Sequence, residues 1–324
     1  MSCPKTIWLP LTQVRLSFCL HPFLFSEIAK DMKKVYRCWK NIFIAISSIY
    51  GSCSLAGQLS AMPVSKLENF EPIAIQVPPP ERTSLGICSN NIDLVVNNLI
   101  DRSPLNKGKW GILVHTLVGK TLYYRNPDSY LIPASNLKLL VTAAALQKLN
   151  PAGSIRSKSI RDWIVETNLR SNNQYADVLL RYLGGSQSVQ EILTDLGVSS
   201  QGYRLRDGSG LSRNNLATPR TMVETLQAMY SAPNHDIFLA SLPVAGTSGT
   251  LKNRLRSSTT QGHVYAKTGT LKGVRSLSGY LDHPDYGSVV FSIMTNQPTT
   301  QSGTVLVKAI DEIVLRLSSM INCT

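Results

Sequence analysis

The sequence predicts an α/β domain of the α+β kind, on two observations. Two-residue alternation marks strands near the start of the domain, at 110–116 and 120–125, and again near its end, at 275–281 and 288–294. Between these runs, apolar residues recur at three- and four-residue intervals, the period of amphipathic helices. Strands at both ends with helices between imply a sheet assembled from distant parts of the chain.

The elements follow in order. Met32-Lys33-Lys34 and Arg37 form a positive segment, Ile42 to Leu55 an apolar one, and Leu59-Ser60-Ala61 offers small residues for cleavage. Residues 1–61 therefore read as an N-terminal extension holding a secretory signal peptide that starts at Met32, which directs the chain to the periplasm or cell envelope. The apolar run is shorter than the roughly 18–20 residues of a spanning helix. Residues 62–84, with Pro63, Pro72 and Pro78-Pro79-Pro80, read as a Pro-rich linker, and 85–324 as one domain.

Within the domain, Leu94, Val95 and Ile100 suggest a first helix, and Trp110–Thr116 with Lys120–Arg125 a hairpin around Val118-Gly119. Leu137, Leu140, Val141 and Ala144 share a helical face, so Ser135 is expected at a helix N-terminus and the helix to stop before Asn150-Pro151. A short helix is expected from Ile160 to Arg170. Tyr175, Val178, Leu179, Tyr182 and Leu183 mark another, ended by Gly184-Gly185, which leaves Ser171-Asn172-Asn173 on a loop or first turn. Thr218 and Pro219 suit the N-cap and first position of a helix to about Tyr230. Leu306, Ile310, Ile313, Val314 and Leu317 close the domain with a helix.

The formal net charge is +13, and 26 of the 33 basic and 18 of the 20 acidic residues follow residue 61. No basic run with interleaved aromatics accompanies this charge, so an anionic cell-wall polymer suits it as well as nucleic acid does, and no nucleic-acid partner is expected. Only Cys88 and Cys323 lie in the domain, without metal-binding spacing. A Cys88–Cys323 disulfide and two separate buried thiols are both compatible with an oxidising compartment. No metal or organic cofactor is implied.

Three short motifs occur in order: Ser135-Asn136-Leu137-Lys138, Ser171-Asn172-Asn173 and Lys267-Thr268-Gly269-Thr270. Each alone has a plain reading, the first as a helix N-cap followed by a solvated lysine, the last as an edge strand ending at a glycine. Together they make the S-x-x-K, S-x-N and K-T-G set. A serine hydroxyl needs a base, and Lys138, three residues on, projects onto the face of Ser135. Partial burial and the cation of Lys267 would both lower the Lys138 pKa into the range of a base. Ser171 would relay the proton to the leaving amine, and Asn173 would hold Lys138 and the substrate amide. Backbone N–H groups of Ser135 and Thr270 would form an oxyanion hole, each contributing about 3–4 kcal/mol to the transition state. Lys267, Thr268, Gly269 and Thr270 are the expected substrate-binding residues. None of the five histidines lies in a nucleophile motif, so a Ser-His-Asp triad is less economical.

With Asp207-Gly208-Ser209-Gly210-Leu211-Ser212-Arg213, Ala217-Thr218-Pro219, Leu242–Gly246 and Gly249-Thr250-Leu251, the chain resembles class C low-molecular-mass penicillin-binding proteins. That family comprises D-alanyl-D-alanine carboxypeptidases and endopeptidases. The resemblance implies a penicillin-binding transpeptidase or serine β-lactamase-like catalytic domain at 85–324, with an antiparallel sheet flanked by helices and an all-helical subdomain. It implies a serine-type carboxypeptidase acting on peptidoglycan pentapeptide stems through an acyl-enzyme on Ser135, with Lys138 as base and β-lactams as covalent inhibitors. It also implies that the Asp207–Arg213 loop lies near the cleft. Family members usually carry inserted domains between the first two motifs, whereas here 36 residues separate Ser135 from Ser171. Two other readings remain, a β-lactamase-type hydrolase and a catalytically silent cell-wall-binding protein. No E-x-x-L-N pattern follows the second motif to favour the former.

Overall fold

The computed structural model describes residues 86–323, so the expected signal peptide and linker lie outside the described residues. Five strands form one antiparallel sheet: β1 (Lys109–Thr116), β2 (Thr121–Arg125), β3 (Val264–Leu271), β4 (Val274–His283) and β5 (Gly287–Asn296). Their order is β2-β1-β5-β4-β3. Strand β1 from the start of the domain pairs with β5 from its end, Ile112 opposite Ile293 and Val114 opposite Phe291, so distant segments build the sheet as expected.

The helices are α1 (Ile92–Ile100), α2 (Lys138–Lys148), α3 (Ile160–Leu169), α4 (Asn173–Tyr182), α5 (Ser186–Asp195), α6 (Pro219–Ser231), α7 (His235–Ala240) and α8 (Gly303–Ser318). Because successive strand side chains point to opposite faces, the sheet divides two cores. Ile112, Val114, Leu277, Phe291 and Ile293 pack with Val96 of α1 and with Leu306, Ile310 and Val314 of α8. Leu113, Tyr280, Val290 and Met294 pack with residues of α2 to α7, the helical side of the molecule.

Local chemistry starts the helices that matter for the site. Thr218 Oγ1 accepts from Thr221 N at 3.1 Å ahead of Pro219. Asn172 Oδ1 accepts from Tyr175 N at 3.2 Å to start α4, and Ser159 Oγ accepts from Asp162 N at 3.0 Å to start α3. Such caps contribute about 1 kcal/mol each. Helix α2 is buried from Lys138 to Leu146, so it runs through the helical side rather than over it. A buried polar chain fixes it: Thr142 Oγ1 donates to the Lys138 carbonyl at 2.8 Å, and Asn168 Nδ2 donates to Thr142 Oγ1 at 3.0 Å and to Ser241 Oγ at 2.9 Å.

Helices α5 and α7 were not anticipated. Val189, Ile192 and Leu193 are the only large apolar residues of α5, and α7 has six residues, too few to display a period. Of the two readings of the cysteines, the disulfide is the one found: Cys88 and Cys323 are bonded, their Cα atoms 5.3 Å apart, beside the parallel pair Ile87–Cys88 and Met320–Ile321. Among the described residues, no helix is long and apolar enough to cross a membrane, and no group of three or more His, Cys, Asp or Glu could hold a metal ion.

Candidate active site

Ser135 stands at a helix N-terminus as expected, but the turn there is of the tighter 3₁₀ kind. It lies in a 3₁₀ turn, Ala134–Leu137, and α2 begins at Lys138. The reason is Ala134, wholly buried and at φ 50°, a left-handed conformation that costs an alanine about 1–2 kcal/mol. The sheet holds the turn there. Ser276 Oγ donates to the Pro133 carbonyl at 2.7 Å, and Asn136 Nδ2 donates to Ser278 Oγ at 2.6 Å.

Lys138 is wholly buried, and its Nζ has three oxygen neighbours. Ser135 Oγ and Asn173 Oδ1 each lie at 2.9 Å, and the third is the Ser209 carbonyl. The last two can only accept. A neutral amine has two N–H groups and one lone pair, so with both N–H groups given to Asn173 and Ser209 the lone pair is left for the Ser135 hydroxyl. The surroundings favour that neutral form. Burial lowers the Lys138 pKa from 10.5 to about 8, against the opposing pull of Asp177 and Asp207.

Lys267 was expected to depress Lys138 by charge repulsion. The repulsion acts the other way: Lys267, also wholly buried, is held well below the ordinary lysine range first by burial and then by the charge of Lys138. Its Nζ donates to Ser171 Oγ at 2.9 Å and to the Thr268 carbonyl at 3.1 Å. Ser171 takes φ 56° immediately before the capped start of α4, which turns its hydroxyl to Lys267 while Asn173 reaches Lys138. The structure thus brings Ser135, Lys138 and Asn173 into one hydrogen-bonded group and Ser171 and Lys267 into a second, the two forming one cluster through the charge contact of their amines.

The rest of the third motif divides by strand alternation. Thr268 is half-buried and donates to Thr250 Oγ1 at 2.8 Å; Thr270 is exposed. Because Lys267 is sealed inside, Thr268 and Thr270 are the side chains this motif offers to solvent. β3 is an edge strand, and the Ala266 N–H leaves the sheet to bond the Pro243 carbonyl at 2.9 Å. By the two-residue period, the amides of Thr268 and Thr270 point to that same edge. Gly269 has a packing reason: a Cβ there would lie 2.1 Å from Ser276 Oγ and 2.5 Å from the Pro133 carbonyl. A side chain would hold the strand off the Ser135 turn.

The Asp207–Arg213 loop reaches the cluster through the Ser209 carbonyl. Burial works against the charge of Asp207, but the amides of Ser212 and Gly210, with Ser209 and Asn215, hold its carboxyl below the usual range. Asp177 was missed by sequence reasoning, although it stands four residues after Asn173 and hence on the same helical face. No side-chain pattern could have announced the Ser209 carbonyl.

The model of the D-Ala-D-Ala carboxypeptidase 3 (S13) family matches residues 93–155 and 151–318. The D-alanyl-D-alanine carboxypeptidase of Actinomadura sp. (strain R39) is 43% identical over 164 residues, 46% of this chain and 30% of that protein. Penicillin-sensitive carboxypeptidase A of Dictyostelium discoideum is 35% identical over 185 residues, 51% of this chain and 35% of that protein. The chain spans about a third of the length of these relatives. Among solved structures, penicillin-binding protein 4 of Haemophilus influenzae superposes with a TM-score of 0.61 at 16% identity, over 71% of this chain and 99% of that one. The TLA-3 extended-spectrum β-lactamase gives 0.60 at 18%, over 71% and 98%. These likenesses are of fold, and the fold is the penicillin-binding, serine β-lactamase one that the sequence predicts. The two family segments meet at 151–155, where the chain passes from the first motif to the second through a small hairpin, Ser154–Ile155 with Lys158–Ser159.

Proposed function

Since the chain belongs to the D-Ala-D-Ala carboxypeptidase 3 (S13) family, we propose that it is a serine-type D-alanyl-D-alanine carboxypeptidase or endopeptidase of peptidoglycan stem peptides, working through an acyl-enzyme on Ser135. The observation that carries this reading is the buried Lys138 amine 2.9 Å from Ser135 Oγ, with its two other positions taken by acceptors. In this reading the Ser135 proton passes to the Lys138 lone pair as Oγ forms its bond to the carbonyl carbon of the penultimate D-alanine. Negative charge gathers on the carbonyl oxygen, facing the amides of Ser135 and Thr270. Ser171, held by Lys267, relays the proton taken up by Lys138 to the departing amine, giving its own proton to the nitrogen and regaining one from the Lys138 ammonium. The terminal carboxylate rests against Thr268 and Thr270. Water releases the stem peptide by the reverse proton route. β-Lactams would trap Ser135 covalently, and a periplasmic or cell-envelope location fits the stem-peptide substrate.

Mass spectrometry after incubation with a penicillin is expected to show one adduct on the peptide bearing Ser135, and the protein is expected to release D-alanine from a muramyl pentapeptide. A folded protein that forms no adduct would sink the proposal and favour a silent cell-wall-binding role. The two carboxylates that act on Lys138 are committed to the loop, Asp207 to the amides of Gly210 and Ser212 and Asp177 to those of Gly208 and Ser209. Neither is left to activate water, which favours a long-lived acyl-enzyme over β-lactamase turnover.

The pH dependence follows from the amine. Lys138 can accept a proton only when neutral, and the neutral fraction of a base rises tenfold per unit below its pKa. With that pKa at about 8, the rate constant for acylation is expected to climb with pH and level off above about 8. A rate that is flat from pH 6 to 9 in stopped-flow acylation would remove Lys138 from the role of base.

A further inference from the structure

Helix α4 addresses Lys138 twice. Its first residue, Asn173, takes one N–H of the amine directly at 2.9 Å. One turn on, about 6 Å along the helix axis, Asp177 Oδ1 accepts the backbone N–H groups of Gly208 at 2.8 Å and Ser209 at 3.0 Å. The carbonyl of that same Ser209 takes another N–H of Lys138. The loop lies flat on the helix at this point, since a Cβ on Gly208 would fall 2.4 Å from the Ala176 carbonyl. The loop's own acid, Asp207, organises the far side, accepting from Gly210 N at 2.6 Å and Ser212 N at 2.7 Å.

We propose that Asp177 is a positioning residue for the attack by Ser135: it clamps the Gly208–Ser209 backbone so that the Ser209 carbonyl and Asn173 together occupy both N–H groups of Lys138 and turn its lone pair to the serine. The inference rests on Ser135 and Lys138 being nucleophile and base. Free to rotate, a lysine amine aims its lone pair in any direction about the last carbon bond. Two acceptors anchored to one helix remove that freedom, which is orientation achieved before substrate arrives. The clamp also brings a negative charge. The charged groups that shift Lys138 are Asp177 from α4 and Asp207 from the loop, with none from α2 itself; the neighbouring Lys267 of β3 is the one shifted by Lys138, not the reverse. Removing the Asp177 charge therefore moves the titration of Lys138 to lower pH.

Two variants separate clamp from charge. Asp177→Asn keeps an oxygen for the loop amides and deletes the charge; Asp177→Ala deletes both. The midpoint of Lys138, followed by the chemical shift of its 13C-labelled Cε in the full-length protein, is expected to fall in Asp177→Asn relative to wild type. The acid limb of penicillin acylation should move the same way. Asp177→Ala is expected to lower the alkaline plateau of acylation about 10–100-fold, and Asp177→Asn to recover at least about tenfold of that loss. An unchanged Lys138 midpoint in Asp177→Asn, or an Asp177→Ala plateau within threefold of wild type, overturns the inference. Should Asp177→Ala not fold, the midpoint of Asp177→Asn decides. Should wild type itself form no acyl-enzyme, the proposed function fails, and the Lys138 midpoint still tells whether Asp177 governs this amine.

Discussion

Lys138→Met is expected to abolish acylation by penicillin, by at least about 10³-fold, and at the same time to raise the thermal midpoint at neutral pH. The first effect follows from removing the amine that faces Ser135 Oγ, the base of the proposed function. The second follows from linkage. Lys138 titrates at about 8 in the folded protein against 10.5 for a solvated lysine. Between those two values the unfolded chain binds more protons than the folded one, so stability rises with pH across that window. Below it both states are protonated, and the buried ammonium costs about 3 kcal/mol in full; above pH 10.5 the penalty is gone. Methionine has similar length and no charge, but it removes the donor of two acceptors: Asn173 is exposed and its Oδ1 can bond water instead, whereas the buried Ser209 carbonyl is left unpaired, at about 1–2 kcal/mol. The net gain at pH 7 is then about 1–2 kcal/mol, or a rise of roughly 2–6 °C for a domain of this size. It should fade as pH rises above about 8 and reverse at about pH 9–9.5, where the shrinking penalty falls below the cost of the unpaired carbonyl. Calorimetry across that range checks both sign and window. A Lys138→Met protein less stable than wild type at pH 7 would mean that the amine is not held as a strained base.

The same arrangement marks what could be read without coordinates. Ser135, Lys138, Ser171, Asn173 and Lys267 were legible because their chemistry resides in residue identity and chain order, and because a serine and lysine three apart on a helix share a face. The strands of the hairpin and the last two strands were legible from alternation, which burial on the two sides of one sheet enforces. The Ser209 carbonyl was not legible: any residue supplies a carbonyl, and only the tertiary path of the loop aims this one at Lys138. Asp177 was visible as an acid on the right helical face, but its work is done on backbone amides 31 and 32 residues away. The source of the lowered Lys138 pKa was misjudged for a related reason. Sequence shows that two lysines belong to one site, whereas the balance between desolvation and repulsion depends on depth, and both amines are sealed from solvent. The 3₁₀ turn at Ser135 was likewise hidden in the left-handed conformation of Ala134, which nothing about an alanine suggests.

Gly269→Ala is expected to cost about 10²-fold in acylation while leaving the fold intact. The new methyl group would sit 2.1 Å from Ser276 Oγ, 2.5 Å from the Pro133 carbonyl and 3.2 Å from Asn136 N. None of these yields easily. Ser276 Oγ is committed to the Pro133 carbonyl at 2.7 Å, and the other two atoms are backbone of the turn that carries Ser135. Strand β3 must therefore retreat, by about 1 Å for ordinary van der Waals contact to be restored, and it takes Thr270 and Lys267 with it. An oxyanion hole works only while its donors stay within about 2.7–3.1 Å of the charged oxygen, and a displacement of that size can lower a rate by about 10². Lys267 would also be drawn from Ser171, slowing proton transfer to the leaving amine. Both cores are built by other residues and the strand stays paired to β4, so the stability loss should remain about 1–3 kcal/mol. Gly119→Ala provides the matched control. Gly119 lies at φ 88° in the β1–β2 turn with nothing within 4 Å of a Cβ, so alanine there strains the backbone far from the cluster. It should lower the melting temperature slightly and acylate at the wild-type rate. If Gly269→Ala also acylates at the wild-type rate, the edge strand and the Ser135 turn do not act as the two walls of one oxyanion hole.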